Sequence, residues 1–332
     1  AMTALAVAIV LPAPRATGPV AAALTGACNG SRALCGRRLN EVVFPATHNS
    51  YSAADEPGWL FANQRHGIAR QLQDGIRGFL IDIHYGVRDP ERGRIRTDLK
   101  GEDSSRNKVA QQLSPRALRT ADRLAGRVGA SLPTGERAAY LCHTLCELGA
   151  EPLDDQLKLF RSFLTLNRRE VVVLFVEPYV PVEELEGALE RTELLDEAAE
   201  VPRDAPLPTL RRLIAAGTRL VILTEEDGGA RSWYLPGFSF AQDTPLGVRS
   251  AAGLRCERYR GSADSPLLLL NHWIDGFPPA PSRNQRIGNA VLERQVDRCE
   301  RERRQLPNLL AVDFYERTGV VEIARRRNAQ TR

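Results

Sequence analysis

The chain has 332 residues, 43% of them hydrophobic and 26% charged, which excludes a disordered, collagen-like or polytopic membrane protein. Its 45 basic and 41 acidic residues leave a net charge of +4 with the signs interspersed. That is too weak and unpatterned for nucleic-acid binding, and no zinc-finger, RNP or basic-zipper pattern is present, whereas an anionic substrate or membrane surface remains compatible.

Residues 1–27 read as the remnant of a secretory or anchoring leader. An apolar run at 3–12 is closed by Pro12, Pro14 and Arg15, and small residues fill 21–27 before the first cysteine. The prolines keep this run well short of the roughly 20 residues a membrane-spanning helix needs. The six cysteines fall as sequential pairs, Cys28 with Cys35, Cys142 with Cys146 and Cys256 with Cys299. Fifteen connectivities are open, but zinc-ligand spacing is absent, so disulfides in a secreted or cell-surface location are the expectation.

From residue 28 to 332 the chain repeats one pattern, a short β-branched apolar run followed by a loop and an amphipathic helical stretch. Strands are expected at 42–47, 78–84, 139–143, 171–177, 219–224, 267–272 and 309–314, with one more hidden near 233–240. Helices are expected at 64–74, 153–166, 182–191, 209–216, 284–304 and 320–327. Seven or eight βα units predict an α/β fold of one domain, a distorted TIM (β/α)8 barrel, because no Gly-rich phosphate loop follows the first strand as an open dinucleotide-binding sheet would require. Residues 88–137 are a long charged insertion after the second strand. Within it, a helix opening at Ser114-Pro115 places Leu118, Ala121, Ala125 and Val128 on one side and arginines around the rest, which reads as a solvated surface helix or a basic membrane-contact element.

In a parallel barrel, chemistry gathers at the C-terminal strand ends. Four of the five histidines, His48, His84, His143 and His272, stand at or just after an expected strand end. Asn49, Asp82, Glu177 and Asp313 share that rim. Two imidazoles with carboxylates are the parts needed to break a phosphodiester, one taking a proton from the nucleophile and the other giving one to the leaving group. The oxygen groups suit a hard cation such as Ca²⁺. Serine chemistry lacks its Gly-x-Ser-x-Gly elbow, and the cysteines read as paired.

These residues carry a resemblance. The stretch 39–51 around Pro45-Ala46-Thr47-His48-Asn49-Ser50, the stretch 71–82 ending in Asp82, and Leu141-Cys142-His143 resemble, in order and spacing, the X-domain of phosphatidylinositol-specific phospholipase C. The Cys-His-x-x-Cys segment, the strand from Glu170 to Glu177 and the stretch 306–315 are similar to the secreted plant and fungal members. The resemblance implies that His48 is the general base, His143 the general acid and Asp313 the carboxylate that orients the base. It implies cleavage through a cyclic inositol phosphate, with Asn49, Asp82 and Glu177 as Ca²⁺ ligands. Two departures bear on the metal, because Leu80 replaces a further acidic ligand and His84 stands where a metal-free branch carries Arg.

His84, His272, Trp273 and Arg283 are the candidate phosphate and substrate contacts, with Trp233 and Tyr234 as further rim candidates. The expected protein is a monomer that contacts membrane peripherally and acts on a phospholipid. The alternatives are a phosphodiesterase for another glycerophosphodiester or a sphingolipid head group, and a lipid-binding module without turnover.

Overall fold

Seven of the eight expected strand runs supply parallel strands, and the run at 139–143 supplies an antiparallel one, in a computed structural model that describes residues 26–90, 93–98, 135–143, 145–276 and 278–330. The expected leader up to residue 25 and the expected insertion helix lie outside the described residues. Strands β1 (Phe44–Thr47), β2 (Gly78–Arg88), β6 (Val172–Pro178), β7 (Leu220–Thr224), β8 (Tyr234–Pro236), β9 (Ala241–Asp243), β10 (Leu267–His272) and β11 (Leu309–Val312) line up in the order β8-β7-β6-β2-β1-β11-β10-β9. The first strand therefore pairs with the last, Phe44 opposite Leu309. The distorted (β/α)8 barrel is left unpaired between β8 and β9, which a four-residue helix joins.

Eight helices accompany the strands among the described residues. They are α1 (Ile68–Asp74), α2 (Leu153–Leu166), α3 (Val182–Arg191), α4 (Leu210–Ala216), α5 (Gly237–Phe240), α6 (Pro281–Ile287), α7 (Ala290–Arg303) and α8 (Val320–Ala329). Strand alternation sorts the core. Val172, Leu174, Ile222, Leu270 and Leu310 join residues of α2, α3, α7 and α8 in one apolar cluster. Phe44, Ala46, Val173, Phe175, Leu269 and Ala311, one residue out of step, form a second cluster inside the barrel. Gly78 keeps that interior close, since a β-carbon there would stand 2.7 Å from the Ala46 β-carbon.

The structure corrects several boundaries. The single strand expected near 233–240 is two, β8 and β9. The helix expected at 284–304 is also two, because Asn289 sits at φ 47° and the backbone of Arg317 and Thr318 crowds Gly288. β2 runs past His84 to Arg88, where it pairs antiparallel with β3 (Ile95–Thr97) and β4 (Arg137–Leu141), and β4 pairs with the short β5 (Glu151–Pro152). The ends of the insertion thus extend the sheet. All three sequential disulfides form, Cys28–Cys35, Cys142–Cys146 and Cys256–Cys299. No described helix is long and apolar enough to cross a membrane.

At the foot of β2, buried Arg77 forms an ion pair with Glu170 at 2.7 Å and donates to the carbonyls of Leu72 and Ile76. Its charge is tolerable there because every donor it turns inward meets oxygen. Glu170→Ala should destabilise the fold by about 3–5 kcal/mol by stranding the guanidinium. The Arg77→Met/Glu170→Leu pair should cost less than Glu170→Ala alone, and urea denaturation of the two variants checks the order.

Candidate active site

The alternation that builds the core also aims the rim. Counting on from Phe44 and Ala46 puts His48 on the interior side of β1, and the same count puts Asp82, Glu177, Glu225, Asp243, Trp273 and Asp313 on the interior side of their strands. His272, the residue before Trp273, falls on the helix side.

His48 Nδ1 lies 2.9 Å from Asp313 Oδ1. Its ring stacks on Trp273 with centroids 3.9 Å apart and planes within 6°. Asp313 is buried, and its other oxygen accepts from Asn63 Nδ2 at 3.1 Å. Asn63 in turn accepts from Asn49 Nδ2 at 3.3 Å. Gln64 fixes the two strand ends, donating to the carbonyls of His48 and Val312 while accepting from the Tyr315 amide. That is why α1 begins at Ile68 and not at Gln64: the preceding turn is committed to this loop.

Across the mouth, His143 Nδ1 lies 3.0 Å from Asp82 Oδ2. The two histidine rings are 6.5 Å apart, edge to face. Desolvation works against the charged form of His143, but the hydrogen bond and charge of Asp82, with Glu177 and Asp313 beyond, outweigh it and raise its pKa. Burial alone would raise Asp82, yet His143 outweighs that too and holds the carboxyl below its usual range. Tyr51 bridges the halves, its hydroxyl 3.3 Å from Asn49 Oδ1 and hydrogen-bonded to Asp82. Burial and the Asp82 charge push this phenol well above its ordinary range. A chain of polar contacts therefore runs from His48 to His143, and the sequence reading missed two of its members, Asn63 and Tyr51.

The expected calcium ligands do not fit as arranged. Asp82 Oδ2 is taken by His143, Asp82 and Asn49 Oδ1 share the single Tyr51 hydroxyl proton, Asn49 also donates to Asn63, and Glu177 Oε1 accepts from the Tyr179 hydroxyl. Leu80, in place of an acid, packs against the barrel interior. Among the described residues no three His, Cys, Asp or Glu side chains stand together as a metal site.

The remaining candidates separate. Trp273 belongs to the site and donates to Asp275 at 2.8 Å. His84 is 1% exposed, stacks on Tyr179 at 4.0 Å, and has no hydrogen-bond partner at either ring nitrogen among the described residues. Burial lowers its pKa to about 4, so it is a neutral ring beneath the rim and not a cationic contact at the surface. His272 is fully buried, with Nδ1 against the Gln295 amide and Nε2 2.6 Å from the Ile287 carbonyl. With the Gln295 amide turned so that its NH₂, which has no other partner, faces Nδ1, a neutral His272 satisfies both contacts and keeps no nitrogen for substrate. Arg283 donates to the Pro278 carbonyl, and Trp233 and Tyr234 are buried packing residues.

A further cluster completes the mouth. Arg260 forks between Asp243, at 2.7 and 2.9 Å, and Glu225, at 2.9 and 3.0 Å, and its guanidinium lies over Phe238. Desolvation and neighbouring Glu177 raise the Glu225 pKa against the pull of Arg260.

The family model described as PI-PLC X 1 matches residues 131–328. The chain is 23% identical over 322 residues to a PI-PLC X domain-containing protein 1 of Arthroderma benhamiae, covering 91% of this chain and 89% of that one. It is 24% identical to a PI-PLC X domain-containing protein of Arabidopsis thaliana across 88% of this chain, and spans 63% of that protein's length. A second Arthroderma protein, 22% identical over 88% of this chain and 60% of its own, is described as secreted. The fold is similar to that of phosphatidylinositol-specific phospholipase C from Listeria monocytogenes, with a TM-score of 0.54, 14% identity, and coverage of 90% of this chain and 98% of that one.

Burial lowers the His272 pKa. The unfolded chain, titrating near 6.5, therefore takes up this proton first, and folding stability should fall as pH drops below about 6.5, by up to about 1.4 kcal/mol per pH unit. His272→Asn should flatten that slope in urea denaturation between pH 7 and 5; an unchanged slope would remove His272 as its source.

Proposed function

The chain belongs to the PI-PLC X family, and from that premise we propose that it is a phosphodiesterase of the phospholipase C type acting on an inositol phospholipid. The observation that carries the reading is the pair of imidazoles, each anchored through Nδ1 to its own carboxylate and standing across the mouth from the other. Such anchoring leaves each Nε2 as the nitrogen that works. His48 removes the proton of the inositol 2-hydroxyl, whose oxygen forms a bond to phosphorus. The bond from phosphorus to the glycerol oxygen breaks, and His143 gives that oxygen its proton. The products are diacylglycerol and a cyclic inositol phosphate. Asp313 stabilises the imidazolium formed on His48, while Asp82 keeps His143 charged and ready to donate.

The mouth also bears on the head group. Arg260 is neutralised by Asp243, with the Glu225 carboxyl hydrogen-bonded beside it, and Glu177 adds negative charge. Hydroxyls suit this carboxylate-rich surface, whereas extra phosphates would meet the negative charge of Glu177 and Asp243. An inositol bearing no further phosphate is therefore the proposed head group.

Three large apolar side chains on connections at the mouth face, Leu60 after β1 and Leu246 and Tyr259 after β9, are exposed. They suit peripheral contact with the membrane that presents the lipid. The three disulfides and the relative described as secreted are consistent with an extracellular location.

Phosphorus NMR of the protein with phosphatidylinositol micelles should show a cyclic inositol phosphate. His48→Ala and His143→Ala should each reduce its formation by about 10²–10⁴-fold without unfolding the protein. Because the expected cation ligands are occupied by hydrogen bonds, chelator should leave the rate unchanged; abolition by chelator would restore a metal to the mechanism. Phosphatidylinositol should be cleaved in preference to its 4,5-bisphosphate, and the reverse order would refute the head-group reading.

A further inference from the structure

His143 stands inside a covalent ring of five residues. β4 ends at Leu141, whose ladder partners are Ile83 and Glu151. Cys142 follows, fully buried, and is bonded through sulfur to Cys146. Both sulfurs pack with Ile95 and Tyr140. The far side of the ring is tied to β3, because the Cys146 amide donates to Thr97 Oγ1 at 2.8 Å and Thr97 is itself held by Glu147. His143, by contrast, lies beyond the ladder with a half-exposed side chain, and Asp82 is its ring partner.

We propose that the Cys142–Cys146 disulfide is the positioning device of the general acid. It fixes the His143 backbone between a strand end and an anchored turn, so that Nδ1 meets Asp82 while Nε2 faces the departing oxygen. The assignment rests on the acid role given to His143 above. A purely stabilising role is the weaker account, since what a disulfide removes from the unfolded chain grows with the loop it closes. This ring has a sequence separation of 4, against 43 for Cys256–Cys299. The smaller ring restricts the unfolded chain far less, yet it encloses the residue whose placement the reaction depends on. A displacement of about 1 Å in a reacting group reduces rate by about 100-fold.

Two substrates differing in leaving group separate positioning from general damage. With phosphatidylinositol the glycerol oxygen departs with a proton from His143. With inositol 1-(4-nitrophenyl phosphate) the same 2-hydroxyl attack, assisted by His48, expels 4-nitrophenolate as the anion, and no proton need be supplied to it. The Cys142→Ser/Cys146→Ser variant should lose about 10- to 100-fold in kcat on phosphatidylinositol with KM nearly unchanged. It should keep most of its rate on the nitrophenyl ester, in the pattern of His143→Ala. Equal loss on both substrates, or no loss on either, overturns the proposal.

If the double variant fails to fold, a chain with one glycine inserted after position 144 keeps the disulfide but slackens the ring, and should show the same selective loss. If His143→Ala matches wild type on phosphatidylinositol, the acid role fails and not the positioning. Nitrogen-15 NMR then decides the positioning directly: the hydrogen bond from His143 Nδ1–H to Asp82 should be lost in the double variant, and its persistence overturns the proposal.

Discussion

An imidazole can exchange protons with a substrate in a defined direction only if its second nitrogen is held, and here each is held by a buried carboxylate. Asp313 and Asp82 are nearly inaccessible to water. Their charges are tolerable because Asn63, Tyr51 and the two histidines supply the hydrogen bonds that water would otherwise provide. The dependence runs both ways. The rings need the carboxylates for orientation, and the carboxylates need the rings for solvation. The stacking of Trp273, the bridging side chain of Gln64 and the turn between β1 and α1 all follow from satisfying those two charges at the end of a parallel sheet.

Much of this was legible because strand ends and strand alternation can be counted. His48, Asp82 and Asp313 stand just past or within apolar runs, on the side those runs turn inward, and His143 stands just past another run whose Ala139 and Leu141 join the helix-side cluster. The same count explains what the rim pattern alone could not. His272 ends its strand as His48 nearly does, but it is one residue out of step and meets Gln295 on α7. His84 has the interior parity of Asp82, yet β2 does not stop there; β4 continues the ladder beside it and closes it from solvent. That continuation could not be foreseen, because it depends on chain returning from the far side of the insertion. Asn63 and Tyr51 were missed for a related reason. Neither residue type in a loop signals chemistry until the fold brings it against a buried carboxylate.

The acidic residues show how much about a cation composition leaves open. Asn49, Asp82 and Glu177 are the right atoms in the right strands for a hard metal, and sequence spacing cannot say whether they face an ion or one another's donors. Here Tyr51 and Tyr179 place hydroxyls against them, and Leu80 removes the acid that would have strengthened the set. Each such hydrogen bond takes one of an oxygen's two lone pairs and fixes its orientation. At the strand ends that follow Glu177 along the chain, Arg260 is neutralised by Asp243 while the Glu225 carboxyl is hydrogen-bonded beside it.

The pairing of β1 with β11 has a consequence for how the protein comes into being. His48 and Asp313 are separated by 265 residues and share a hydrogen bond only because the first strand lies beside the last. A nascent chain emerging from the ribosome, or threading through a translocation pore, carries both histidines long before it carries the carboxylate that orients the base. Contacts of such high sequence separation form late in folding. An arrangement that needs this hydrogen bond is therefore incomplete until residue 313 has been synthesised and the barrel has closed on it. For a protein that would cleave membrane lipid, the topology of the barrel itself supplies the delay.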